Sequence, residues 1–197
     1  MIVLTGCSSG IGAALKEKLA DTYCITRDMW DMDTPIPNDI VPNNVTMLIN
    51  IAGHDVGGKI NFSNHKLEHW SRVLQTNLVS TMALTHQTLN KNPTATIVNI
   101  TSTNVDQYWP NDLVYSLSKV ALSEFTKMLR IEYNNEMQFR EVRLGLTKTN
   151  FVKNRYAVDH APVDDLYSKY EHLLPKEVAQ RIVEFIDTNE NFIRIAP

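Results

Sequence analysis

The chain has 197 residues, 43 % of them hydrophobic, with 19 Lys and Arg against 22 Asp and Glu. That composition suits one folded unit over residues 1–197 and excludes a mainly disordered chain. The formal net charge of −3 argues against nucleic-acid or anionic-membrane partners, and no apolar run is long enough to span a bilayer.

In chain order, Ile2–Leu4 reads as a short buried strand that runs into Thr5-Gly6-Cys7-Ser8-Ser9-Gly10-Ile11-Gly12. Apolar residues at Ile11, Ala14, Leu15 and Leu19 then follow a helical spacing. A strand, a glycine turn and a helix start let backbone N–H groups approach a pyrophosphate. The spacing is Gly-x-x-x-Gly-x-Gly and departs from GxGxxG, so a purely structural glycine turn stays open at this point. Tyr23–Thr26 reads as a second strand. Thr34–Asn44 carries Pro35, Pro37 and Pro42 and reads as a surface loop.

Val45–Ile51 is apolar throughout, as a strand buried on both faces would be, and ends in Asn50-Ile51-Ala52-Gly53. Leu67–Leu89 suits one long helix, with Asn77 inside it, where an Asn is locally unfavourable unless it has a polar task. Ala95–Ile100 is another strand, followed by Thr101 and Ser102. Leu113–Tyr133 is a second long helix and carries Tyr115-Ser116-Leu117-Ser118-Lys119. Residues four apart share a helix face, so phenol and ammonium would project into one site. A nearby cation favours the phenolate, which suits proton transfer near neutral pH. Arg140–Leu146, Lys176–Ile186 and Phe192–Ile195 close the pattern as strand, helix and strand. Strands alternating with helices predict an α/β fold: a Rossmann-like, doubly wound parallel sheet with ligands at the carboxyl ends of its strands.

The order of these elements resembles the short-chain dehydrogenase/reductase family. The likeness runs from Thr5 to Thr149: TGxxxGxG after strand one, NxAG after a middle strand, a helical Asn, then Ser102 thirteen residues before Tyr115 and Lys119 four after it. The resemblance implies an NAD(P)-dependent oxidoreductase acting on a small carbonyl or alcohol. Tyr115 would be the general acid, Lys119 would lower its pKa and hold the nicotinamide ribose, Ser102 would position the carbonyl, and Asn77 would anchor a proton-relaying water. The resemblance places Gly6, Ser8, Ser9, Gly10, Ile11 and Gly12 at the pyrophosphate and Asn50, Ala52 and Gly53 along the adenosine and ribose. Asp31 and Met32 would meet the adenine, and Gly145, Thr147 and Thr149 match the segment that grips the nicotinamide.

Leu144 replaces the usual Pro of that segment, Thr147 its usual aliphatic, and Ile51 the second Asn of NNAG. Only three residues separate Arg27 from Asp31, where the family usually has a helix and a strand, so one edge strand/helix unit is expected to be missing or reduced. An Arg after strand two pairs with the 2′-phosphate of NADP and a carboxylate with the 2′-OH of NAD. Arg27 favours NADP(H), and Asp28 beside it keeps NAD(H) open. Substrate-side candidates are His54, Asp55, Thr103, Asn104, Tyr108, Trp109, Leu146 and Tyr156, with Ser102 and Tyr115 facing the reacting group.

Three other readings compete. His65-Lys66-Leu67-Glu68-His69 matches the zinc pattern H-x-x-E-H but offers no third ligand, and a solvated turn is preferred, with no metal expected. A dinucleotide sensor without turnover would need no acid–base pair. Cys7 and Cys24 lie in no CxxC or Cys/His cluster, so no disulfide is expected, Cys7 reads as a small filler, and a reduced cytoplasmic setting follows. The start MIVLTG lacks the basic region of a secretory signal. Apolar residues on several sides of the two long helices point to a homodimer or homotetramer.

Overall fold

The computed structural model describes residues 1–135, 138–155 and 163–197. Six strands form one parallel sheet: β1 (Ile2–Thr5), β2 (Thr22–Ile25), β3 (Met47–Asn50), β4 (Thr96–Ser102), β5 (Phe139–Leu144) and β6 (Phe192–Ile195). Their order across the sheet is β2-β1-β3-β4-β5-β6. The helices are α1 (Gly10–Lys16), α2 (Leu67–Leu74), α3 (Ser80–Lys91), α4 (Leu113–Tyr133), α5 (Asn150–Arg155), α6 (Val163–Lys169) and α7 (Pro175–Ile186).

Successive strand residues point to opposite faces, so each apolar strand feeds two cores. Leu4, Ile49, Val98 and Val142 pack with α1 and α7 through Leu15, Val178 and Ile182. Val3, Leu48, Ile97 and Phe139 pack on the other face with Leu84 of α3 and Leu129 of α4. This is the doubly wound α/β sheet that the sequence predicts.

The expected loss at one edge is visible. β2 ends the sheet, and residues 26–46 form neither helix nor strand. Buried Trp30, Met32, Ile40 and Val41 from that stretch plug the second core instead. Trp30 Nε1 donates to the carbonyls of Thr34 and Pro35, which satisfies the one polar atom of a buried indole.

Two expectations need correction. The stretch from Leu67 is not a uniform α-helix, because Gln75–Val79 between α2 and α3 is a π-helical turn. The wider turn carries buried Thr76 and Asn77, and such bulges are frequent at functional sites. The cysteines are not separate thiols. Cys7, just past β1, is disulfide-bonded to Cys24 on β2, with Cα atoms 6.0 Å apart. The 17-residue separation hid this, since only the parallel pairing of β1 with β2 brings the two positions together.

Candidate active site

The strand order reverses between β1 and β3, and the glycine turn and the Asn50–Gly53 segment meet there. Thr5 Oγ1 accepts the backbone N–H groups of Ile51 and Ala52, both at 3.0 Å, and ties the two strand ends together. Gly6 has φ +72°, and a Cβ on it would lie 2.9 Å from Ile51 Cγ2. A Cβ on Gly12 would lie 2.1 Å from the Gly6 carbonyl oxygen. The turn therefore folds back on itself in a way only glycine allows. It leaves exposed Ser8 and Ser9 at the rim of a cleft of about 820 Å³, a bare backbone cradle of the kind a pyrophosphate fits.

One end of the cleft is lined by Arg27, Trp30, Asp31, Met32, Asp33, Ala52 and Gly53. Arg27 faces this cleft, whereas its exposed neighbour Asp28 is not part of the lining. Asn50 is not part of it either. Its Nδ2 donates to Asn99 Oδ1 at 2.9 Å, and Asn99 donates on to Thr126, so the amide belongs to a ladder beneath α4. Asp33 is a hub that the sequence did not suggest. It accepts from Thr76, from Arg72 Nε at 2.7 Å and from His54 Nε2 at 2.8 Å. Burial pushes its carboxyl up, but those three hydrogen bonds outweigh burial and leave it below the usual range.

Ser102, Tyr115 and Lys119 also line the cleft, whereas Asn77 is not part of the lining and lies behind Gly53. Asn77 is fully buried, and its amide accepts from the His54 N–H and donates to the His54 carbonyl, both at 2.9 Å. It also donates to Ser118 Oγ at 3.0 Å. Gly53 leaves this spot open, since a Cβ there would come within 3.0 Å of Asn77 Oδ1 and 3.5 Å of Lys119 Nζ. Lys119 Nζ donates to the Ile100 carbonyl at 3.0 Å and stands 6.0 Å from the Tyr115 ring centre. Burial pushes the ammonium down to about 8. Burial also pushes the Tyr115 phenol up to about 12, against the pull of Arg155 and a hydrogen bond with Ser102.

The other end of the cleft is charged. Arg155, the last residue of α5, sits 2.6 Å from Asp55 and 3.5 Å from Asp112. Lys59 reaches Asp112 at 3.5 Å and lies over the Trp109 ring. Asn104 donates to Asp112 Oδ2 and to Ser116 Oγ, both at 2.9 Å, and its own N–H donates to Ser102 Oγ. Burial pushes Asp55 up to about 6; Asp112 adds to this, and Arg155 and Lys59 oppose it.

Known proteins match this arrangement. The family profile for short chain dehydrogenase matches residues 38–159. The chain belongs to the short-chain dehydrogenase family. An NADP-dependent 3-hydroxy acid dehydrogenase of Schizosaccharomyces pombe is 30 % identical over 156 residues, covering 76 % of this chain and 59 % of that protein. A sulfoacetaldehyde reductase of Chromohalobacter salexigens is 26 % identical over 213 aligned positions, covering 98 % of this chain and 82 % of that protein. A serine dehydrogenase solved with NADP+ superposes with TM-score 0.83 at 18 % identity, covering 99 % of this chain and 94 % of that one, a likeness of fold.

The cleft gathers most of the residues singled out from the sequence. Gly6, Ser8, Ser9, Gly10, Ile11 and Gly12 line it, as do Ser102, Thr103, Asn104, Trp109, Tyr115, Lys119, Leu146, Thr147 and Thr149. His54 is there too, whereas Asp55 and Tyr108 are not part of the lining; Asp55 is buried behind Arg155 and Tyr108 is exposed. Tyr156 lies outside the described residues. The H-x-x-E-H stretch spans the start of α2, and among the described residues no group of three metal-type side chains forms. Sequence reasoning missed Asp33, Lys59, Asp112 and Arg155. The one local signal was Gly57-Gly58, a pair whose positive φ values of +93° and +69° let the loop carrying Asp55 and Lys59 fold against α5.

Proposed function

We propose that this chain is an oxidoreductase that moves a hydride between NADP(H) and a small carbonyl or alcohol, with Tyr115 as the general acid and base. The convergence of Ser102, Tyr115 and Lys119 on one wall of the cleft carries this reading. When bound, the nicotinamide gives or takes the hydride. In the reducing direction Ser102 donates a hydrogen bond to the carbonyl oxygen and Tyr115 delivers the proton to it. Lys119 holds the ribose, and Asn77 fixes the backbone at His54 beside Gly53. Backbone N–H groups of the Gly6–Gly12 turn hold the pyrophosphate, while Thr147 and Thr149 hold the carboxamide.

Arg27 supports NADP(H) over NAD(H), because Arg27 and not Asp28 is part of the cleft lining. The S. pombe relative is itself named as NADP-dependent. Cofactor and substrate sites share one unit. Exposed Val79 at the end of the π-helical turn, Met82 on α3, and Leu113, Leu117, Met128 and Ile131 on α4 support pairing through these helices into a homodimer or homotetramer. No helix among the described residues is long and apolar enough to cross a membrane. A cytoplasmic setting enters this reading only through the supply of such dinucleotides, since the Cys7–Cys24 bond removes the separate thiols from which a reduced setting was expected.

The test is consumption of NADPH with a panel of small aldehydes, ketones and oxo acids. Turnover that disappears in Tyr115→Phe is expected. Tight NADPH binding with no turnover on any member would replace this reading with a sensor. Light scattering that shows only monomer at micromolar concentration would remove the oligomer.

A further inference from the structure

Two cations face the Tyr115 ring, and they come from different places. Lys119 lies one turn along the same helix, 6.0 Å from the ring centre, with its Nζ held by the Ile100 carbonyl. Arg155 comes from α5, and its guanidinium carbon is nearer, at 5.1 Å. It also lies 5.3 Å from the Phe151 ring, which packs on Tyr115 at 5.4 Å. The side chain of Arg155 is 11 % exposed, so solvent screens it little.

Its position is fixed from two sides. Asp55, on the loop after β3, meets Nε at 2.6 Å, and Asp112, at the head of α4, stands 3.5 Å from the guanidinium. Both carboxylates are 3 % exposed. The loop backbone also presses on the end of α5, since a Cβ on Gly58 would lie 2.6 Å from the Arg155 carbonyl oxygen. Asp112 further holds Asn104, whose N–H reaches Ser102 Oγ. One charged network thus abuts both the phenol and the hydroxyl of the reacting centre.

We propose that Arg155 is a positioning residue of the reaction, a second cation that favours the phenolate of Tyr115, with Asp55 and Asp112 setting where it stands and how much of its charge the phenol feels. The proposal rests on the reading of Tyr115 as the proton donor. The groups around that phenol are Arg155 from α5, Asp55 from the loop after β3, Asp112 just before α4, Lys119 from α4 and Ser102 from β4, with Lys59 one step away on Asp112. Of these charges, Arg155 pulls the phenol down, and Asp112 and Asp55 push it up.

The sign difference gives the test. The full chain is labelled with 13Cζ-tyrosine and saturated with NADP+, and the resonance missing from Tyr115→Phe is titrated. Arg155→Met is expected to raise its midpoint by about one pH unit, and Arg155→Lys to restore most of it. Asp55→Asn and Asp112→Asn are expected to lower it. A purely structural staple would move the midpoint in one direction for all variants or not at all, and either result overturns the proposal. If Arg155→Met does not fold, as judged by circular dichroism, the Asp55→Asn shift decides alone. The titration needs no turnover, so failure of the carbonyl panel and failure of this proposal remain distinguishable.

Discussion

The two ends of the cleft are built in different ways. The end proposed for the pyrophosphate is built from consecutive residues and bare backbone: Gly6 to Gly12 in one turn, Ile51 to Gly53 in another, latched by Thr5. The end proposed for the substrate is built from charged side chains at positions 55, 59, 112 and 155, which only the fold brings together. Close backbone approach is a local property and can be written in a short motif. A charge cluster has no local signature, because each member alone resembles an ordinary surface residue.

The largest expected effect tests the point where the two ends meet. Tyr115→Phe should lower turnover by about 10²–10⁴-fold while leaving NADPH binding within about twofold of wild type, since the cradle proposed for the pyrophosphate is the Gly6–Gly12 turn. A comparable loss of binding, measured by NADPH fluorescence titration, would mean that the ends are not separable. Gly12→Ala should do the reverse. Its Cβ would meet the Gly6 carbonyl at 2.1 Å, and backbone cannot yield as a side chain can. A stability loss of about 1–3 kcal/mol by thermal or urea unfolding should accompany NADPH binding weakened by about tenfold or more. Wild-type binding in that variant would show that the turn does not hold the dinucleotide.

A smaller effect concerns the basic residue that the sequence places at the end proposed for the dinucleotide. Arg27→Ala should weaken NADPH by about tenfold, the size of a charge-assisted hydrogen bond, and leave NADH unchanged. Equal losses for both would remove the 2′-phosphate assignment.

The same divide explains how much was legible. Alternating strands and helices, the glycine turn and the Ser102–Tyr115–Lys119 spacing are short-range patterns, and the doubly wound sheet follows from them. The short gap after Arg27 announced the missing edge unit, because three residues cannot form a helix and a strand. What stayed hidden depends on contact between distant segments. The Cys7–Cys24 bond needs the β1–β2 pairing, and the Asp33 hub needs the loop before β3 to reach α2. Asn50 misled because Ile51, Ala52 and Gly53, which follow β3, line the cleft, whereas Asn50 is still part of the strand and its amide is spent on Asn99 of the neighbouring strand. The π-turn at Gln75–Val79 leaves no mark on hydrophobic spacing, although the polar Thr76 and Asn77 it buries were odd for a helix interior.

The smallest prediction separates the ends by acid response. Asp55 is raised to about 6 from an ordinary 3.8, with burial the main cause. Between about pH 4 and 6 the folded chain therefore holds a proton at Asp55 that the unfolded chain has released. Unfolding then releases protons, so stability falls as pH rises through that window, by an amount on the order of 2 kcal/mol. Asp33 acts in the opposite sense and elsewhere. Its carboxyl is lowered, so its contribution is present above the unfolded value and is lost only as pH falls below it. Urea unfolding at pH 4.5 and 6.5 should show the decline in wild type and a flatter response in Asp55→Asn. Asp33→Asn should leave that window unchanged and cost stability at both pH values. If Asp55→Asn keeps the full decline, the buried strain lies in some other group, and the substrate end is not the charged half of the cleft in the sense argued above.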